Sequence, residues 1–467
     1  MTVATRPVVR QRTPGEWVKK NLFGSKWSGV ITVVMAPILL YLLYRAFAFV
    51  FLNGQWEAVT RNLTLFMQGT FPRDQQWRLI AQMLIFALAF GVGAGTNRAA
   101  AKDRATDAGL TFNPETLGAT LRRMWSLVLF IAVLLYFATV DPLGTWYNPF
   151  LLVGAVVLAA LIGFQAKHIP RRFRNAGWVL TSVLLLFGFQ VVSGFDAGGW
   201  VPLGVILGLT TYSAVPVDRL SAASMRLGAR LAAAIGVALI IRYVYGVIDG
   251  SGIGWDTWSG LHLTLMVSSI AIVLAFPLGL LLALARRSTL PALRWIATAY
   301  IEVIRGVPLI TLLFFGQYVL AFMLPEATDL SGITRAIVAM SLFTAAYVAE
   351  IVRGGLQALS KGQTEAGQAL GLAPPTIMRR IVLPQALRSV IPAMVGQFIS
   401  LFKDSSLLTI IGILEFLGVR EIIHAQADFR GVSITETLVF VAFGYWAFAF
   451  AMSRESQRLE RRLRVSR

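Results

Sequence analysis

The chain has no cysteine among its 467 residues. That excludes disulfides, thiolate metal sites and cysteine nucleophiles. Charge is scarce too, at 14% of residues, where a soluble domain carries about a quarter. The histidines are His168, His262 and His424, far apart in the chain. They make no ligand-spaced pair for zinc and no arrangement for a Ser-His-Asp triad. Lysine occurs seven times and never follows glycine, so the Gly-Lys-Ser/Thr core of a phosphate-binding loop is missing. The chain reads as a non-enzyme with no cofactor of its own.

Apolar residues are abundant instead. They make up 56% of the chain, and mean hydropathy is +0.68. They come in continuous blocks of about 20, the length that crosses a hydrocarbon core. Barrel strands alternate in shorter runs, which argues against a β-barrel. The expected fold is all-α, a polytopic membrane helical bundle of about twelve spans. Seven precede Trp255, near 30–52, 79–96, 124–140, 148–165, 177–194, 199–214 and 231–248. Five follow, near 261–285, 296–322, 333–352, 389–412 and 436–452. The stretch 199–214 is short and glycine-rich and also reads as a re-entrant or tilted segment. The basic N-terminus meets an apolar run too long for a signal peptide, with no small-x-small site after it, and reads as an uncleaved first span.

The formal charge of +19 first suggests nucleic acid. Its distribution gives another account. With the N-terminus inside and the spans alternating, inside segments hold 32 Lys and Arg and outside segments 6. That is the positive-inside bias of a membrane protein facing a lipid bilayer. Both termini, and the loop at 353–390, are expected in the cytoplasm, with the chain in the plasma (inner) membrane.

Composition shifts near residue 250. A seven-span extension is expected over 1–254 and a five-span domain over 255–467, joined by the glycine-rich link 249–260. After the shift, polar groups collect at span ends, a costly placement that usually marks a bundle interior or aqueous path. They are Glu302, Arg305, Gln317, Glu350, Arg353, Gln397, Lys403, Asp404 and Ser405. Glu350 and Arg353 share a helix face, either along a translocation path, bracing the adjacent loop, or as a local ion pair. Glu302 and Arg305 have the same spacing, and would bind a zwitterion or neutralise each other. Lys403-Asp404-Ser405-Ser406 interrupts an apolar span, as a break lining an aqueous cavity would, or as an interfacial hinge. The C-terminal tail, RESQRLERRLRVSR, suits an anionic leaflet or a plain stop-transfer end.

Residues 365–384 read EAGQALGLAPPTIMRRIVLP. Ser360 is a candidate N-cap with Gln363 three residues on. Gly371 suits a left-handed helix end, Pro374 and Pro375 a new helix start, and Pro384 a break before the next span. The segment reads as helix, glycine turn, helix, proline bend. Glu365, Ala366, Gly367, Gly371, Ile381, Leu383 and Pro384 fall at the spacing of the EAA loop of ABC-transporter permeases of the binding-protein-dependent importer class. The stretches IEVIRGVPLITLLFF, AYVAEIVRGGLQALSKGQTEA and LFKDSSLLTIIG resemble its polar amino-acid branch. The resemblance covers about 255–455. A long N-terminal membrane extension resembles the general L-amino-acid permeases that work as unlike pairs. Gly367 stands where the family has a second alanine.

That resemblance implies a permease subunit of an ATP-driven importer of polar or varied amino acids, working by alternating access. It implies a partner ABC ATPase dimer, which binds ATP and Mg and receives the 365–384 loop. It also implies a second permease subunit, of a different paralogue, and an external solute-binding protein. The alternative is an ion-gradient-driven secondary transporter of small polar solutes. Such transporters show two related halves, and residues 1–230 hold no counterpart of the EAA stretch.

Overall fold

In hydrocarbon a segment must satisfy its own backbone hydrogen bonds, and a helix does so locally. The computed structural model describes residues 13–109, 111, 149–171, 174–193, 235, 253–254, 257–323 and 330–465. They form α1 (Pro14–Leu22), α2 (Lys26–Ala48), α3 (Glu57–Thr60), α4 (Leu63–Gln68) and α5 (Gln76–Asp107). Next come α6 (Pro149–Phe164), α7 (Arg174–Ser193), α8 (Gly260–Arg286), α9 (Pro291–Gly306), α10 (Leu309–Phe314) and α11 (Leu320–Met323). The chain continues as α12 (Gly332–Ala358), α13 (Gly362–Ala369), α14 (Pro374–Ile377), α15 (Leu383–Asp404), α16 (Val419–Ala425) and α17 (Ile434–Val465). Among the described residues, strand-like pairing is confined to an isolated bridge between Gly260 and Glu415.

Seven helical stretches here are long and apolar enough to cross a bilayer: Lys26–Asn53, Arg73–Asp107, Leu151–His168, Gly260–Arg286, Gly332–Ala358, Pro374–Ile411 and Ile434–Arg461. α7 is a shorter apolar helix. The expected spans at 124–140, 199–214 and, apart from Ile235, 231–248 lie outside the described residues. The expected single span at 296–322 is instead two helices, α9 and α10–α11, bent by 106°. The cause is local. Pro308 pushes Val307 out of the helical region, and Val307 adopts φ −101°, ψ 136°.

α2 begins with reciprocal caps. Ser25 Oγ accepts from Ser28 N at 3.1 Å, and Ser28 Oγ from Ser25 N at 3.0 Å. Its apolar side chains face outward, with Leu40 65% and Tyr44 62% exposed. A helix apolar all round belongs in lipid. α5 packs against α6 and α7.

The bundle after residue 255 is α8, α9, α12, α15 and α17. α12 lies at its centre and buries Ala345, Ala346, Val348, Ala349 and Val352 completely. One hydrophobic cluster runs through Ala283, Ile301, Val352, Leu356, Ala386 and Met394. A second, toward the other end, gathers Trp258, Val267, Ile337, Leu401 and Leu408. The N-terminal part joins both the second cluster and a third. Phe71, Leu79 and Phe189 belong to the second. Ala58, Val59, Phe66 and Met67 pack with Phe416, Val419 and Ile423 in the third. Polar ties accompany this packing: Thr70 N donates to Ser259 Oγ at 2.7 Å. Arg78 donates to Val191 O at 3.0 Å, and His262 Nε2 lies 2.9 Å from Gln82 Oε1.

Adjacent glycines on α12 test this packing. A Cβ on Gly355 would lie 2.4 Å from Val390 Cγ1 and 3.1 Å from Ala386 O, while one on Gly354 would meet nothing within 4 Å. Gly355→Ala is therefore expected to destabilise the protein by about 1–3 kcal/mol through overpacking. Gly354→Ala is expected to be neutral or to stabilise by about 0.5–1 kcal/mol through helix propensity. Thermal unfolding of the detergent-purified protein checks both. Equal effects would show that α12 and α15 do not meet at this point.

Candidate functional site

The end of α13 is set by backbone geometry. Gly371 takes φ +72°, a left-handed conformation that costs an L-residue about 1–2 kcal/mol. Gly371 N donates to Gln368 O at 2.9 Å, and Leu372 N to Gly367 O at 3.1 Å. These two bonds make a Schellman ending. Pro374 and Pro375 then open α14, whose first amides need no helical partner. The start of α13 differs from expectation. Ser360 Oγ accepts from Gly362 N at 3.2 Å, Lys361 holds the cap position, and Gln363 accepts from Gln385 at 3.2 Å instead of reaching back.

Pro384 does not break the chain before the next span, as the sequence suggested. Residues 378–382 form a π-turn, and the helix continues from Pro374 to Ile411. Widening the turn changes the hydrogen-bond register, so the proline ring is admitted without a break. The π-turn also sets which side chains are buried. Ile377, Val382, Ala386, Val390 and Met394 all face one cluster. Their spacing is four residues except across the turn, where it is five. Ile377 and Val382 are the anchors that sequence reasoning missed, and that broken four-residue row is the signal that could have found them.

Gly367 has a packing role. It is buried, and a Cβ there would approach Ile377 Cγ1 to 2.9 Å and Cδ1 to 3.0 Å. The absent methyl lets α13 lie against Ile377. Of the other motif residues, Glu365, Ala366, Gly371 and Pro384 are exposed, and Ile381 and Leu383 are half-buried. The outward face also carries Leu370, 78% exposed, and the exposed Arg379 and Arg380. The result is a compact knob, fixed to the bundle on one side and open on the other.

Beside it lies a charge cluster. Arg286 at the end of α8 donates to Glu302 Oε1 at 2.8 Å and to Glu350 Oε2 at 3.4 Å. Arg305 reaches Glu350 at 3.9 Å and covers the Tyr347 ring at 5.5 Å. Arg353 Nε donates to Glu350 Oε2 at 2.8 Å. The structure thus brings together Glu302, Arg305, Glu350 and Arg353, ties α8, α9 and α12, and leaves three cations against two anions. The suggested Glu302–Arg305 pair is replaced by Glu302–Arg286. Arg286 escaped notice because it read as one more loop arginine.

The other candidates lie elsewhere. Gln317 sits in a π-turn at 315–319, with its Oε1 buried and unpartnered and its amide against Gly332. Gln397 and Asp404 are half-buried and Lys403 is exposed. Ser405 is buried and donates to Phe402 O at 2.6 Å. It also lies 3.4 Å from Tyr445, which bonds Glu415. Glu415 in turn is bound by Thr264 near the start of α8. Thr264 and Arg286 stand about 33 Å apart along that helix at 1.5 Å per residue.

Residues 275–465 match the family described as binding-protein-dependent transport system inner membrane component. The chain is 33% identical over 373 residues to the glutamate/glutamine/aspartate/asparagine transport system permease protein BztC of Rhodobacter capsulatus, covering 76% of this chain and 81% of that protein. It is 47% identical over 210 residues to the inner membrane amino-acid ABC transporter permease protein YhdY of Escherichia coli K12, covering 45% of this chain and 57% of that relative's length. Among solved structures, an amino acid ABC transporter crystallised with histidines is similar at 31% identity and a TM-score of 0.40, covering 44% of this chain and 92% of that one.

The Gly367–Ile377 contact yields a suppressor test. Gly367→Ala is expected to loosen the knob by about 1–3 kcal/mol, since the neighbour must give way. Ile377→Val, which removes the Cδ1 methyl, is expected to recover part of that loss in the double variant. Limited proteolysis at the loop, compared across the three variants, reads the difference. Additive losses in the double variant would rule the contact out.

Proposed function

Because this chain belongs to the family of binding-protein-dependent transport system inner membrane components, we propose that it is the permease subunit of an ATP-driven importer that brings polar amino acids into the cell. Its relatives' names point to the acidic amino acids and their amides. The observation that carries this reading is the knob at 362–384, buried on the bundle side through Ile377 and Val382 and open on the other through Leu370 and Arg379. A segment that must pass on a push needs both halves of that arrangement.

In this reading the knob faces the cytoplasm, as do both termini. A separate ATPase dimer holds ATP and Mg and docks on the open face. A second permease subunit, a different paralogue, completes the pore, and an external binding protein delivers the amino acid. Residues 255–467 form the permease core and 1–254 an added membrane unit. The 373-residue match is longer than the core alone, so the extension shares in the resemblance. Closure of the ATPase pair moves the knob, and α12 and α15 move with it. The charge cluster around Glu350 joins α8 and α9 to the same movement.

Uptake of a radiolabelled amino-acid mixture by cells carrying the complete importer tests this. Gly371→Pro replaces a residue at φ +72° with one locked near −65°. At equal membrane abundance it is expected to lower uptake at least tenfold. Wild-type uptake is expected to persist when the proton gradient is collapsed and ATP maintained. Uptake that ends with the gradient and ignores the variant would make the chain an ion-driven transporter.

A further inference from the structure

At the end of the bundle away from the knob, one carboxylate is completely enclosed. Glu415 is 0% exposed. It accepts from Thr409 Oγ1 at 2.6 Å, from Thr264 Oγ1 at 3.1 Å and from the Tyr445 hydroxyl. It accepts as well from Leu417 N at 2.8 Å and Gly418 N at 3.1 Å. A carboxylate offers about four lone-pair positions, so five donors saturate it. The turn that carries it is itself pinned. Gly260 N donates to Leu414 O at 2.9 Å, and Phe416 N to Thr264 Oγ1 at 3.0 Å.

One of these donors sits on an unusual piece of chain. After Asp404 the helix narrows, and Ser405–Ile411 runs as a 3-10 helix of seven residues. Such runs are uncommon beyond three or four residues, and this one closes the C-terminal end of the span. Thr409, within the segment, bonds Glu415 directly. Ser405, at its start, is 3.4 Å from Tyr445, the next donor to the same carboxylate. Gly412, at φ +81°, ends the segment. A 3-10 helix rises about 2.0 Å per residue against 1.5 Å for an α-helix. Over this length the 3-10 form is longer by about 3.5 Å. The turn at 412–418 is anchored to α8, so any relaxation of the segment moves its other end, where Lys403 and Asp404 stand.

We propose that Glu415 is a positioning residue for translocation: through Thr409 it holds residues 405–411 in their extended 3-10 form, and so sets where Lys403 and Asp404 stand along the path of the amino acid. This rests on the reading of the chain as an importer subunit. The geometry gives the carboxylate a task beyond joining helices, because one group holds Thr409 within the segment and the turn that follows it, through Leu417 N and Gly418 N.

The test uses the complete importer in vesicles, with radiolabelled glutamate and glutamine as probes. The chain lacks cysteine, so Ile410→Cys is the single thiol this subunit carries, and labelling of the same importer without that substitution gives the background from the other subunits. Ile410 is 57% exposed. Glu415→Gln and Thr409→Val are each expected to raise KM at least fivefold, with maximal rate within twofold. Each is also expected to change the thiol-labelling rate at the reporter at least fivefold, while a reporter at Leu370→Cys on the knob stays constant. Glu415→Asp should recover part of both effects. Unchanged KM and labelling in the variants would overturn the proposal. So would labelling that shifts while KM stays, or a loss of assembled complex with KM intact, which marks a purely structural carboxylate. If Glu415→Gln does not assemble, Thr409→Val, which keeps the carboxylate, decides by the same numbers. A wild-type importer with no ATP-dependent uptake of either probe would instead sink the functional reading.

Discussion

The contact of Ile377 with Gly367 is the constraint on which the knob depends, because it joins a helix outside the spans to side chains within them. Ile377 is 1% exposed, and burying such a side chain stabilises by about 1.5–3 kcal/mol. The gain requires close approach, and Gly367 supplies it by lacking a methyl. The Schellman bonds at Gly371 then fix the angle between α13 and α14. A loop held this way has little freedom of its own, and its buried side chains share one hydrophobic cluster with α12 and α15.

Electrostatics extends that rigid unit sideways. Charges placed in or near a bilayer must be paired or hydrated, and Glu350 meets the requirement by facing three guanidiniums from three helices. With side-chain exposures of 25% for Glu350 and 23% for Arg286, the cluster is partly screened. Its value lies in geometry more than in stability. α8 and α9 have no covalent tie to the knob, yet they are drawn to the same carboxylate as Arg353 on α12. Glu415 follows the same logic at the opposite end, with neutral donors in place of cations.

Much of this was legible in the sequence. Apolar runs place nine of the expected spans on described helices, and Gly371, Pro374 and Pro375 mark the turn and restart they adopt. What escaped depended on three-dimensional neighbours. Pro308 bends its span by 106°, whereas the helix runs on through Pro384, which a π-turn precedes. Pro277, within α8, breaks nothing either. Proline alone does not say which outcome follows, since the surrounding packing decides whether a shifted register is accommodated. Gly367 looked like a departure from a motif until Ile377 was seen opposite it. Glu302 and Arg305 share a helix face, yet Arg286 from another helix takes Glu302. Spacing reveals only partners on the same helix.

The shift in composition near residue 250 has a physical meaning different from a break in packing. Polar groups are concentrated after it, and four of them, Glu302, Arg305, Glu350 and Arg353, meet in the charge cluster. Packing ignores that line. Phe66 from α4 meets Phe416 with ring centroids 6.0 Å apart. Asn62 accepts from Gln426 at 2.9 Å, and Glu436 accepts from Gln55 N at 3.0 Å. Trp258 packs against His262 and Phe189 with tilted rings, centroids at 4.8 Å and 5.8 Å. Residues 55–79 therefore complete the end of the bundle that carries Glu415. The helices that pin the turn at 412–418 are themselves backed by the N-terminal part. Rigidity at that end is a property of the two parts together, and a segment held extended from a fixed turn requires that the turn not give.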